Sequence, residues 1–128
     1  MLYPNKSVWY LTMGKINSYQ KGARGERAVR DLFRENGFVE AYRTNQFQGN
    51  HKDGSSDVSN TPYVHVECKW VERLNIDDAM TQATEDAQLQ DRDEIPVVFH
   101  KKKHKKVLVT MLADDWFEFY KAYVKEKE

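Results

Sequence analysis

Glu67 and Lys69 stand two residues apart in the run Tyr63–Trp70. On a β-strand that spacing puts both on one face, about 7 Å apart. A carboxylate and an ammonium so placed can share one site. Asp57 lies on the preceding extended segment, across a turn at Asn60-Thr61-Pro62. If the two strands pair, Asp57 comes beside Glu67. Two close carboxylates repel, so one takes a proton unless a cation sits between them. Mg²⁺ is such a cation, held through one or two carboxylates and several waters. Lys69 beside it can orient a metal-bound water or stabilise a developing negative charge. The set suits metal-assisted hydrolysis of a phosphodiester. Taken alone, an E-x-K is also an ordinary exposed charge pair on a strand.

Glu26 adds weight. At about 100° per residue it shares a helix side with Val29 and Phe33. A Glu on an apolar stripe is paired, protonated or bound to a metal. The alternative is a first-turn acid favoured by the helix dipole. Gln82 sits at the edge of the next helix's apolar face, either near such a site or as a surface residue. His51, His65, His100 and His104 lack zinc spacing, and we read them as structural or solvent-facing. His65 shares the Glu67 face. Cys68 points to the opposite, apolar side as a core thiol.

The elements that position these residues read in the order α-β-β-β-α-β-β-α, an α/β pattern with a mixed central sheet flanked by helices. A helix runs from about Gly22 to Asn36, and Gly37 stops it. Phe38–Arg43 and Ser56–Ser59 read as strands around a polar loop, residues 44–55. In Tyr63–Trp70, Val64, Val66 and Cys68 alternate with His65, Glu67 and Lys69. Asn75 caps a helix to about Gln90, with Ile76, Ala79, Met80, Ala83 and Ala87 on its buried side. Pro96 ends a linker. Val97–His100 and Val107–Met111 read as strands joined across Lys101–Lys106. Asp114 or Asp115 starts a last helix bearing Trp116, Phe117, Phe119, Tyr120 and Tyr123. These aromatics serve either core packing or a dimer surface. Residues 1–20 read as an arm, leaving a single domain over 21–128.

The chain has 128 residues and no net charge, with 20 Lys+Arg against 20 Asp+Glu. That excludes a uniformly basic, DNA-coating protein. The balance is blocky, however: +4 over residues 1–56, −7 over 57–99 and +3 over 100–128. An acidic, cation-attracting site beside basic contacts fits this pattern. One cysteine excludes an intramolecular disulfide framework. No run is long and apolar enough for a membrane span, so a cytoplasmic protein is expected.

Taken together, Ser56-Asp57, Glu67-Cys68-Lys69 and Gly22-Ala23-Arg24-Gly25-Glu26-Arg27 resemble the PD-(D/E)xK nuclease superfamily. The arrangement is most similar to archaeal-type Holliday junction resolvases and their phage relatives. Gly37-Phe38 and Arg43 also stand where those proteins end a helix and a strand. The resemblance covers about residues 20–110. Ser56 departs from the family's Pro, and the loop after Arg43 lacks an evident counterpart to the Ser some resolvases carry.

The resemblance implies a restriction-endonuclease-like core. It makes Asp57 and Glu67 ligands of Mg²⁺ (or Mn²⁺ in its place), helped by the Cys68 carbonyl. Lys69 would position the attacking water, and Glu26 would complete the acidic site. The implied substrate is branched DNA, a four-way junction cut by a homodimer in recombination or repair. Lys21, Arg24, Arg27, Arg43 and Lys52 would meet the nucleic acid. The Lys101–Lys106 turn either joins them or is merely solvated. A same-fold nuclease for flaps, ends or duplexes, and a non-catalytic DNA-binding protein, are the alternatives.

Overall fold

The computed structural model describes residues 22–44, 55–90 and 93–128. The arm at residues 1–20, Lys21, Lys52 and most of the polar loop lie outside the described residues. The first helix, α1, is described over residues 22–35. It is followed by β1 (Tyr42–Arg43), β2 (Val58–Ser59), β3 (Val64–Lys69), α2 (Ile76–Leu89), β4 (Ile95–His100), β5 (Leu108–Met111) and α3 (Ala113–Lys127). The expected element order holds. The strands form one mixed sheet in the order β1-β2-β3-β4-β5. Only β3 and β4 run parallel; the other neighbours are antiparallel.

Each face of the sheet has its own core. Val66 and Val97 pack with Val29 of α1, Ala41 and Val58, joined at the margin by Phe33, Val64, Cys68 and Trp70. Val98 packs on the other face with Ala79, Met80 and Ala83 of α2. Strand alternation therefore turns Val64, Val66 and Cys68 toward α1. His65, Glu67 and Lys69 turn toward α2.

Local chemistry explains the boundaries. Gly37 has φ +99° and closes α1. Phe38 N–H donates to the Phe33 carbonyl, and Gly37 N–H to that of Arg34. This is a Schellman closure, completed by the Phe33 and Phe38 rings meeting edge-on at 6.1 Å. Because Phe38 serves that closure, the strand expected over Phe38–Arg43 shortens to Tyr42–Arg43. Asn75 caps α2, its side-chain oxygen accepting the Asp78 N–H at 3.1 Å.

Pro96 lies inside β4 rather than ending a linker. Ile95 N–H donates to Tyr63 on the β3 side. The next nitrogen, that of Pro96, faces the β5 side, where pairing begins only at Val97. No ladder bond is lost there. The last helix starts at Ala113, earlier than expected, and Asp114 and Asp115 fill its first turn. None of its side chains is buried among the described residues. Its aromatics are about half exposed, and Trp116 and Phe119 border an apolar cleft with Phe33, Val97 and Met111.

Candidate active site at the end of the central strands

The end of β1, the start of β2 and the end of β3 meet at one edge of the sheet. Thr44 N–H donates to the Asp57 carbonyl, and Asp57 N–H to the Val66 carbonyl at 2.8 Å. Val58 lies opposite Val66, so the antiparallel register sets Asp57 across from Glu67. The Asp57 side chain reaches along that edge. Its Oδ2 accepts the Cys68 backbone N–H at 2.7 Å. The acid is thus joined to the residue between Glu67 and Lys69.

Glu26 arrives from α1 because that helix packs very closely on β3's exit. A methyl group at Gly25 would lie 2.8 Å from the Trp70 ring. The close approach buries Glu26 to 9% exposure. Arg43 Nε donates to Glu26 Oε1 at 2.6 Å. Asp57 and Glu67 are also buried, at 6% and 4% exposure. The Cys68 thiol senses all three acids. Burial raises its pKa first, then the charges of Asp57, Glu26 and Glu67, while Lys69 opposes them. A thiol so disfavoured as thiolate is no nucleophile, which agrees with the reading of Cys68 as a core residue.

Glu67 has a partner that the sequence reading did not give it. Its Oε1 lies 2.8 Å from His65 Nε2. His65 is 1% exposed. It is thus not solvent-facing, and of the two readings of the histidines the structural one holds for it. Asp86 of α2 brings a carboxylate to the same place, within 4.8 Å of the His65 and Glu67 ligand atoms. The signal for His65 was present in its position two residues before Glu67 on one strand face. Asp86 had none, because its contact depends on how α2 lies on the sheet. Gln82 is exposed on α2.

The basic residues divide by role. Arg24 and Arg27 are exposed on α1, flanking Glu26. Arg34 instead donates to the Ala41 carbonyl at 2.8 Å and ties α1 to β1. Arg30 bonds its neighbour Asp31. Arg43 faces Glu26 in an ion pair with its side chain 28% exposed. The Lys101–Lys106 turn begins beside Lys69, whose carbonyl accepts the Lys101 N–H at 3.1 Å. Lys101, Lys102, Lys105 and Lys106 border a cleft of about 530 Å³ over Leu74, Ile76 and Leu108. A second, polar cleft of about 670 Å³ opens over β1 and β2, with Thr44, Ser56, Ser59, His65 and Gln90 in its lining.

No family model, curated protein or solved structure matches this chain. What the described residues establish is an α/β protein with a five-stranded mixed sheet, three helices and a cluster of buried acids at one end of its central strands. Among the described residues, no helix is long and apolar enough to cross a membrane.

Proposed function

We propose that this protein is a metal-dependent DNA endonuclease of the PD-(D/E)xK type with a restriction-endonuclease-like core, acting on branched DNA such as a four-way junction. The observation that carries the reading is the 2.7 Å bond from Cys68 N–H to Asp57 Oδ2. It brings the first acid of the signature against the middle of E-x-K, which supports the reading. Asp57 and Glu67 supply oxygen donors suited to Mg²⁺ or Mn²⁺, so the residues fit the ion. A bound divalent cation would lower the pKa of water and offset phosphate charge.

The chain's own groups do the rest. The Cys68 amide fixes Asp57's carboxylate against β3. Lys69, on Glu67's face, holds a proton donor where negative charge develops at a phosphate. Glu26, steered by Arg43, adds negative potential at the same edge. Arg24, Arg27 and the Lys101–Lys106 turn hold DNA backbone, giving salt-sensitive, sequence-independent affinity. The exposed aromatics of α3 supply a homodimer surface, which sets two sites against the two strands of a symmetric junction.

A second reading has its own observation. Glu26 and Glu67 are satisfied by Arg43 and His65 within the protein, as in a DNA-binding protein that retains the fold without cleaving. A panel of labelled junction, flap, single-stranded and duplex DNAs with Mg²⁺ or with EDTA separates the readings. Preferential, EDTA-sensitive junction cleavage is expected. Binding without cleavage of any DNA would select the second reading.

A further inference from the structure

His65, Glu67 and Asp86 each present a ligand atom, and these atoms lie within 4.8 Å of one another. We propose that they form a binding site for a divalent transition-metal ion of the Mn²⁺, Co²⁺ or Zn²⁺ class. Two of its three ligands lie outside the Asp57–Glu67–Lys69 set. The proposal goes beyond the nuclease reading and does not depend on it.

Four observations converge. The first is geometry. His65 Nε2 and Glu67 Oε1 are 2.8 Å apart. Two ligands each about 2.1 Å from one ion lie about 3.0 Å apart in an octahedral site and about 3.4 Å apart in a tetrahedral one. The pair is nearly set for shared coordination without strand movement. The second is donor chemistry. An imidazole nitrogen with two carboxylates is a donor set that divalent transition metals take. The third is packing. Ala79, Ala83 and Ala87 lie, with Met80, on the buried side of α2. Their small side chains let the helix lie low on the sheet, and Asp86, next to Ala87, is only partly buried. It therefore stands at the open side of the trio. The fourth is access, since His65 also lines the polar cleft of about 670 Å³.

The imidazole decides the class of ion. It suits Mn²⁺, Co²⁺ and Zn²⁺, whereas Mg²⁺ favours oxygen ligands and retains its waters. His65 and Glu67 are fixed by the strand, and Asp86 completes the set from the helix.

Titration of the purified full chain with Co²⁺, followed by visible absorption without DNA, tests this. The wild type is expected to develop ligand-field bands that excess Mg²⁺ does not displace. Even outer partners of metal ligands are worth tenfold or more, so Asp86→Asn should weaken Co²⁺ binding by at least about tenfold. Asp57→Asn should keep the bands. Asp86 is partly exposed and the change is isosteric, so circular dichroism should match the wild type. As a check that needs no variant, Zn²⁺ added to ¹⁵N-labelled wild type should shift amides around His65 and Asp86. Unchanged Co²⁺ affinity in Asp86→Asn, displacement by Mg²⁺, or Zn²⁺ shifts centred on Asp57 would each overturn the proposal. Co²⁺ binding without DNA cleavage would remove the nuclease reading and leave this site standing.

Discussion

Arg43 Nε reaches Glu26 Oε1 at 2.6 Å, and this bond fastens the first turns of α1 to the end of β1. The two residues are 17 positions apart and come from different elements. Glu26 is nearly buried and Arg43 partly so. A charged hydrogen bond in such a place contributes about 1.5–3 kcal/mol. Arg43→Ala should lower unfolding stability by about that amount in urea titrations. A double-mutant cycle with Glu26→Gln should show coupling, because that change removes the acceptor's charge from the same bond that Arg43→Ala deletes.

The same pair bears on activity. If Glu26 serves the site, Glu26→Gln should reduce DNA cleavage well beyond what its loss of stability explains. Turnover equal to wild type, measured well below the melting temperature, would return Glu26 to a purely structural role.

Gly25 sets how closely α1 approaches the strand exit. The added Cβ of Gly25→Ala would sit 2.8 Å from Trp70 Cδ2 and 2.9 Å from Cγ. An aromatic ring packed at a strand end yields poorly. Overpacking of this kind costs about 1–3 kcal/mol. Gly22→Ala meets nothing within 4 Å and should stay within about 0.5 kcal/mol of wild type. Thermal melts of the two variants make the comparison internal.

His100 gives a pH signature apart from the acidic cluster. Burial, then the charge of Lys102, lowers its pKa below the ordinary 6.5. Its Nε2 lies 2.8 Å from Thr110 Oγ1 across the β4–β5 pair. The unfolded chain therefore takes up a proton at higher pH than the folded one. His100's contribution is fully present above pH 6.5 and is lost as pH falls through the lower folded value. Stability curves for His100→Gln should be flatter than wild type in that window. Identical slopes would contradict the assignment.

The last helix leaves Trp116, Phe117, Phe119, Tyr120 and Tyr123 each about half exposed. Trp116 and Tyr120 stack with ring centroids 5.0 Å apart. Such a patch on a charged helix suits a second copy of the chain. Sedimentation should give a dimer for the wild type and a monomer for Phe117→Asp, with unchanged circular dichroism. A monomeric wild type would contradict the dimer.

The parts of the fold legible in the sequence are those set by neighbours along the chain. Alternation in Val64–Lys69, the Asn75 cap and the Gly37 stop each depend on a few adjacent residues, and each lies where the sequence implies. Glu26 was legible as a misplaced acid, but its Arg43 partner was not, since no local rule links α1 to β1. His65 reads from the sequence as structural or solvent-facing, and its burial selects the structural reading. Its companions are Glu67, two residues along its own strand, and Asp86, on a helix whose rotation over the sheet only tertiary packing decides. Pro96 misled for a related reason. Whether a strand tolerates proline depends on which neighbour its nitrogen faces.

In the proposed function, Asp57 and Glu67 carry phosphodiester hydrolysis. The direct measurement compares wild type, Asp57→Asn and Glu67→Gln on a labelled four-way junction, with cleavage in Mg²⁺ or Mn²⁺ and binding by gel shift in EDTA. Both substitutions should abolish metal-dependent cleavage while junction binding stays near the wild-type level. Retained metal-dependent cleavage by both folded variants would contradict that role.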